Sequence, residues 1–95
     1  MTRKILIVDD DQKTRTLLKT YLEKNQYEVR LAHNGEAFLA EFQRYADELS
    51  LVILDVMLPD TDGFALCKIV RRKSNVPIIM LTASSDETDR VVGLE

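Results

Sequence analysis

Ile5-Leu6-Ile7-Val8-Asp9-Asp10-Asp11 is an aliphatic run that ends in three consecutive carboxylates. A run this short, with no polar residue alternating through it, is what a parallel strand covered by helices on both faces requires. Two further runs have the same form: residues 51–54 stop at Asp55, and residues 78–81 stop at Thr82. Parallel sheets wound in this way place their chemistry at the carboxyl ends of the strands. If the three strands are neighbours, the carboxylates of Asp9, Asp10 and Asp55 and the hydroxyl of Thr82 converge in one crevice. The carboxylates repel one another and call for a bound cation, for which Mg2+ is the natural candidate. The set as a whole suggests a phosphoryl-transfer site.

Between these runs the apolar period switches to helical spacing, so the chain alternates β-α-β-α. Residues 12–25 place Leu17, Leu18, Tyr21 and Leu22 on one stripe and leave Lys13, Arg15, Lys19 and Lys24 for solvent. Residues 27–32 form a more exposed strand, with Glu28 and Arg30 alternating with Val29 and Leu31, and so belong toward a sheet edge. Asn34-Gly35 has the form of a hairpin turn. However, Ala37, Phe38, Phe42, Tyr45 and Leu49 follow at helical spacing, which makes Asn34 the start of a second helix. Pro59-Asp60-Thr61-Asp62-Gly63 is a dense turn signal. A third helix over about residues 64–73 buries Leu66, Ile69 and Val70, and Asn75 and Pro77 then precede the 78–81 strand. Ser84-Ser85-Asp86-Glu87 resembles a capping box that opens a fourth helix carrying Val91, Val92 and Leu94. No repeat, low-complexity tract or linker divides the chain.

Composition narrows the function classes. A chain of 95 residues, 45% hydrophobic and 31% charged, buries one core and not two. The formal net charge of −3 argues against holding nucleic acid or an anionic membrane by electrostatics alone. The single cysteine, Cys67, excludes an internal disulfide and a cysteine-rich zinc site, and it fits a reducing compartment. The first residues lack the form of a signal peptide, and no apolar stretch approaches membrane-spanning length, so the expected location is the cytoplasm.

Taken together, the ordered set Ile5-Leu6-Ile7-Val8-Asp9-Asp10-Asp11, Leu54-Asp55-Val56-Met57-Leu58-Pro59 with Gly63, and Leu81-Thr82-Ala83 resembles the receiver domain of bacterial two-component response regulators, the CheY-like family. The likeness runs over residues 1–95. The tail Asp89-Arg90-Val91-Val92-Gly93-Leu94-Glu95 further resembles the OmpR/PhoB-type subclass, in which a winged-helix DNA-binding domain follows the receiver. The resemblance implies a flavodoxin-like doubly wound parallel sheet of order 2-1-3-4, with the family's fifth strand and fifth helix missing. It implies that Asp55 is the phosphoacceptor, taking a phosphoryl group from a phosphohistidine of a sensor histidine kinase. Asp10 would coordinate Mg2+ directly and Asp9 largely through water, with Asp55 and the backbone carbonyl of Met57 completing the oxygen donors. Thr82 would donate its hydroxyl to a phosphoryl oxygen, and Ala83 would leave room for the phosphate. Met57 and Ser84 would tune the rate at which water removes it. The 59–63 turn would fix the loop after Asp55, with Gly63 relieving a steric conflict at the next helix. Kinase specificity would lie on the first helix, around Gln12, Thr14, Arg15 and Leu18.

Simpler roles are assigned to the remaining residues. Asp11 is expected to cap the first helix, His33 to lie in a surface loop, and Cys67 to be an inert core thiol. The basic residues from 68 to 73 are expected on the solvated face and end of the third helix. The family's catalytic lysine has no counterpart, because the chain stops before the strand that carries it. On this reading the chain is an incomplete receiver, with DNA contacted only through a missing output domain and with no membrane partner. The 78–81 strand would lie unpaired at the sheet edge, inviting homodimerisation or domain-swapped self-association. Rival enzyme classes fit worse. A haloacid-dehalogenase-like phosphatase needs an aspartate where Met57 stands, and the scattered glycines form no phosphate loop. A switch rather than an enzyme is expected. The alternative is an interaction module of the same fold that is not phosphorylated.

Overall fold

The computed structural model describes residues 3–81 and 91–94. In chain order the elements are β1 (Arg3–Val8), α1 (Gln12–Lys24), β2 (Tyr27–Ala32), α2 (Gly35–Tyr45), a 3-10 turn (Ala46–Glu48), β3 (Leu49–Asp55), α3 (Gly63–Arg71), β4 (Ile78–Leu81) and β5 (Val91–Leu94). They form one sheet of order β2-β1-β3-β4-β5, in which the first four strands are mutually parallel and β5 runs antiparallel to β4. The parallel order 2-1-3-4 is the one that the family resemblance implies.

Successive residues of β1 and β3 face opposite sides of the sheet, which is why neither strand tolerates polar alternation. Leu6, Val8, Val52 and Leu54 meet Phe38 and Phe42 of α2 and Leu66 and Val70 of α3 on one face. Ile5, Ile7 and Ile53 meet Leu18 and Leu22 of α1 on the other. Leu6, Ile7, Val8, Val52 and Leu54 are fully shielded from solvent. Each such side chain contributes roughly 1.5–3 kcal/mol of burial free energy.

At the edge, β2 keeps the charges of its sequence. Arg30 pairs with Glu41 at 2.8 Å. Lys4, buried on the neighbouring strand, pairs with Glu28 at 3.2 Å and Glu48 at 2.8 Å. Its ammonium also lies 4.1 Å from the centre of the Tyr45 ring. Two carboxylates and a ring face thus compensate the burial of a cation that the sequence presents only as the start of a strand.

Five expectations are corrected. Val91, Val92 and Leu94 belong to a strand, not a helix, and β4 is not an unpaired edge. The β-branched pair and Gly93 accept extended backbone, and pairing with β4 satisfies amides and carbonyls that an open edge would leave to solvent. The expected reason for self-association is thereby removed from β4. Leu17 and Tyr21 do not share the buried stripe of α1: they are 71% and 64% exposed, while Leu18 and Leu22 reach the core. With one sheet face beneath it, α1 can bury only the residues that point straight down. Leu49 starts β3 rather than ending a helix, because a 3-10 turn closes α2 first. The third helix ends at Arg71, whose guanidinium turns back to the carbonyls of Ser74 (3.1 Å) and Val76 (2.6 Å) rather than facing solvent.

The expected capping box at residues 84–87 lies outside the described residues. Among the described residues, no helix is long and apolar enough to cross a membrane.

Candidate functional site

The site is assembled where β1 and β3 end. The backbone amide of Asp9 still donates to the Ala32 carbonyl at 3.2 Å, which holds Asp9 in the line of β1. The chain then turns at once. Asp9 Oδ1 accepts the Asp11 amide at 2.9 Å, and Asp11 accepts the Lys13 amide at 3.0 Å and the Thr14 hydroxyl at 2.9 Å, capping α1 as expected. Arg15 reaches back from α1 to donate to the Asp9 carbonyl at 2.5 Å. Three consecutive aspartates therefore have three different positions: Asp9 is buried and aimed inward, Asp10 is exposed at the rim, and Asp11 is spent on the helix.

Asp55 is the last residue of β3. Because Val8 is paired with Leu54 and Leu81 with Asp55, the register brings the ends of β1, β3 and β4 side by side. Carboxylate oxygens of Asp9, Asp10 and Asp55 lie within 4.8 Å of one another, in the one such acidic group found among the described residues. Asp9 and Asp55 are 7% and 8% exposed. Burial, followed by the charge of Asp9, raises the Asp55 carboxyl from its usual 3.8 to about 6. Burial likewise raises Asp9.

The donor set fits Mg2+. An octahedral shell at about 2.0–2.1 Å puts adjacent oxygens roughly 2.9 Å apart and opposite ones roughly 4.2 Å apart, close to the observed spread. The burial and crowding of carboxylates that raise Asp9 and Asp55 are also the electrostatic condition that a divalent cation relieves. Asp9, Asp10 and Asp55 are the residues that would hold it.

The loop after Asp55 is tightly built. The Met57 amide donates to Asp55 Oδ1 at 3.3 Å, Gly63 N donates to the Val56 carbonyl at 2.8 Å, and Leu58 N to the Thr61 carbonyl at 3.2 Å. Met57 and Asp62 face each other as an isolated antiparallel bridge. A Cβ on Gly63 would come 2.6 Å from the Asp55 carbonyl oxygen and 3.1 Å from Val56 Cα, so this position excludes any side chain. Asp62 caps α3 through the Ala65 amide at 2.8 Å. The Met57 side chain is exposed over the loop.

Sequence reasoning missed two contacts here. Asp60, read only as part of a turn, accepts the amides of Gly35 (2.8 Å) and Glu36 (3.0 Å) at the start of α2. These hydrogen bonds hold its carboxyl below the usual range. The density of acids in the 59–63 turn was the available signal. The second is Arg15, expected on the kinase-facing surface, which is instead bonded to the Asp9 backbone. Of that expected surface, Leu18 packs into the core and Thr14 is bonded to Asp11. The exposed groove beside them is lined by Gln12, Lys13, Thr16, Leu17 and Thr20. Thr82, Ala83 and Ser84 lie outside the described residues. His33 is exposed, and Cys67 is half-buried against the core.

Comparison with known proteins agrees with this fold. Residues 5–95 match the response regulator receiver domain family. The transcriptional regulatory protein GltR of Pseudomonas aeruginosa is 55% identical over 96 residues, covering 98% of this chain and 39% of GltR. The chain spans between 35% and 39% of the length of such curated relatives. Among solved structures, the BeF3-activated receiver domain of Klebsiella pneumoniae RstA superposes with a TM-score of 0.79 at 36% identity, over 90% of this chain and 73% of that one. A chain of the complex between histidine kinase ThkA and response regulator protein TrrA gives 0.78 at 39% identity, over 88% of this chain and 72% of that one.

Proposed function

This chain belongs to the response regulator receiver domain family, and on that premise we propose that it is a phosphoacceptor switch in which Asp55 takes a phosphoryl group from a sensor histidine kinase. The observation that carries the reading is the buried Asp55 carboxyl, raised to about 6 and facing Asp9 and Asp10 at the ends of adjacent strands. A carboxylate near its pKa at neutral pH is ionised yet poorly solvated, which suits a nucleophile. One Asp55 oxygen attacks phosphorus in line with the kinase imidazole. The new O–P bond forms as the P–N bond breaks, and the P–N electron pair leaves with the imidazole. The product is an aspartyl phosphate. Little covalent chemistry is asked of the protein, so positioning and charge neutralisation supply the rate.

Asp9, Asp10, Asp55 and the Met57 carbonyl would hold Mg2+, which when bound would supply the positive charge that an anionic phosphoryl group needs in an anionic crevice. Asp55 is oriented by the Met57 amide, and Asp9 by the Asp11 amide. Arg15 holds the backbone from which Asp9 and Asp10 project. By the family resemblance, Thr82 would donate its hydroxyl to a phosphoryl oxygen, Ala83 would leave room for the phosphate, and Met57 and Ser84 would tune the access of water. The exposed groove of α1 offers the kinase an apolar anchor in Leu17. Regulation of transcription is the output that the relatives' names support; a DNA-binding output domain and a cytoplasmic location complete the proposed reading.

Incubating the chain with acetyl phosphate and Mg2+, followed by intact-mass measurement, tests the proposal. One phosphoryl group is expected, and it is lost in Asp55→Asn and in the presence of a chelator. A full-length protein containing this domain that binds Mg2+ but never gains the group contradicts the proposal and favours an interaction module of the same fold.

A further inference from the structure

Asp60 lies on the loop that follows Asp55, yet both of its carboxylate oxygens are used 25 and 24 residues away in sequence, on the amides of Gly35 and Glu36. These amides belong to the first turn of α2, whose donors have no partner within the helix. Asn34 serves the same turn from its own element by accepting the Ala37 amide at 2.8 Å. The turn therefore has a local cap and a remote one, and only the remote cap touches the acidic site's loop.

The approach is close. A Cβ on Gly35 would fall 2.4 Å from Thr61 Cγ2 and 3.2 Å from Asp60 Oδ1, so the loop seats on α2 only because residue 35 has no side chain. A charged acceptor on two amides at a helix start is a strong, directional contact. The loop's other backbone fastenings tie its start to β4, where the Val56 amide donates to the Leu81 carbonyl at 2.9 Å, close it on itself from Leu58 to Thr61, or join it to α3 from Gly63 to Val56. Among the described residues, Asp60 is the one residue of the outer turn that hydrogen-bonds α2.

We propose that Asp60 is a positioning residue for the metal site: by clamping the 56–62 loop to the start of α2, it holds the Met57 backbone where its carbonyl serves as an oxygen donor. This rests on the phosphoacceptor reading given above. Asp60 touches no reacting atom and acts only through the placement of Met57. The clamp also makes α2 report on the site, since displacement of the loop must stretch or break the bonds to Gly35 and Glu36.

The test is Mg2+ titration of the full chain, followed by amide chemical shifts, for wild type, Asp60→Ala, Asp60→Asn and Asn34→Ala. Asp60→Ala is expected to weaken Mg2+ binding about tenfold, the low end of what loss of an outer support costs a metal site. Asp60→Asn, which keeps one acceptor oxygen, recovers part of the loss. Asn34→Ala weakens the same helix turn without freeing the loop and leaves Mg2+ affinity unchanged. In wild type, the Gly35 and Glu36 amide resonances shift on Mg2+ addition, and in Asp60→Ala they do not. If Asp60→Ala fails to fold, the comparison of Asp60→Asn with Asn34→Ala carries the same decision. Wild-type affinity in the Asp60 variants, or an equal loss in Asn34→Ala, overturns the clamp and leaves the phosphoacceptor reading standing. A wild-type chain that binds no Mg2+ overturns both.

Discussion

Asp55 carries an electrostatic cost that is measurable without any ligand. Its folded pKa of about 6 lies above the ordinary 3.8, so the folded chain binds a proton more tightly than the unfolded chain does. Stability from this group is complete below about pH 4 and is lost as the pH rises through 6. The loss is at most about 3 kcal/mol, because a shift of one unit is worth 1.36 kcal/mol and solvent screening lowers the total. Asp55→Asn is therefore expected to be more stable than wild type near pH 7 and no more stable near pH 4. Urea denaturation across that range checks this, and a difference independent of pH contradicts it. Gly63→Ala tests the backbone behind the same residue. Its Cβ has nowhere to go against the Asp55 carbonyl, so a loss of about 1–3 kcal/mol is expected in the same assay. Asp9, Asp10 and Asp55 were legible in the sequence because strand ends are marked by where aliphatic runs stop. Asp60 was not, since a carboxylate that caps a helix 25 residues earlier leaves no periodic trace.

The helices show how far periodicity reaches. Caps at Asp11 and Asn34 stood out because a short polar side chain immediately precedes an apolar stripe, and both accept the expected amides. Periodicity could not say how much of the stripe on α1 is covered, since that depends on how many elements lie against it. Leu18 and Leu22 pack on the sheet, whereas Leu17 and Tyr21 one step around the helix face solvent. Leu18→Ala is accordingly expected to cost about 2 kcal/mol or more. Leu17→Ala should stay within about 0.5 kcal/mol. Parallel denaturation of the two variants separates them, and equal losses contradict the packing. If Leu17 anchors the kinase, the second variant instead slows phosphotransfer from the kinase while leaving acetyl phosphate modification intact. Leu49 misled for a related reason: its helical spacing is real, but a 3-10 turn intervenes and transfers it to β3.

At the scale of the whole molecule, sheet order follows from which strands are apolar on both faces. β1 and β3 lie at the centre with charged β2 at one edge, while β5 covers β4 at the other. The antiparallel β5 was illegible, because four residues with two valines fit a helix stripe and a strand equally well. Gly93→Pro removes a donor from β5 and is expected to reduce hydrogen-exchange protection at Ile79 and Met80, the β4 residues it neighbours, and to promote association in light scattering. Unchanged protection contradicts the pairing. The convergence of three strand ends on one phosphoacceptor has a more direct test. Borohydride reduces an aspartyl phosphate to homoserine, which peptide mapping locates to a single residue. After treatment with acetyl phosphate and Mg2+, homoserine is expected in place of Asp55 and at neither Asp9 nor Asp10. Its appearance elsewhere, or its absence from the full-length protein when that protein binds Mg2+, contradicts the role assigned to Asp55.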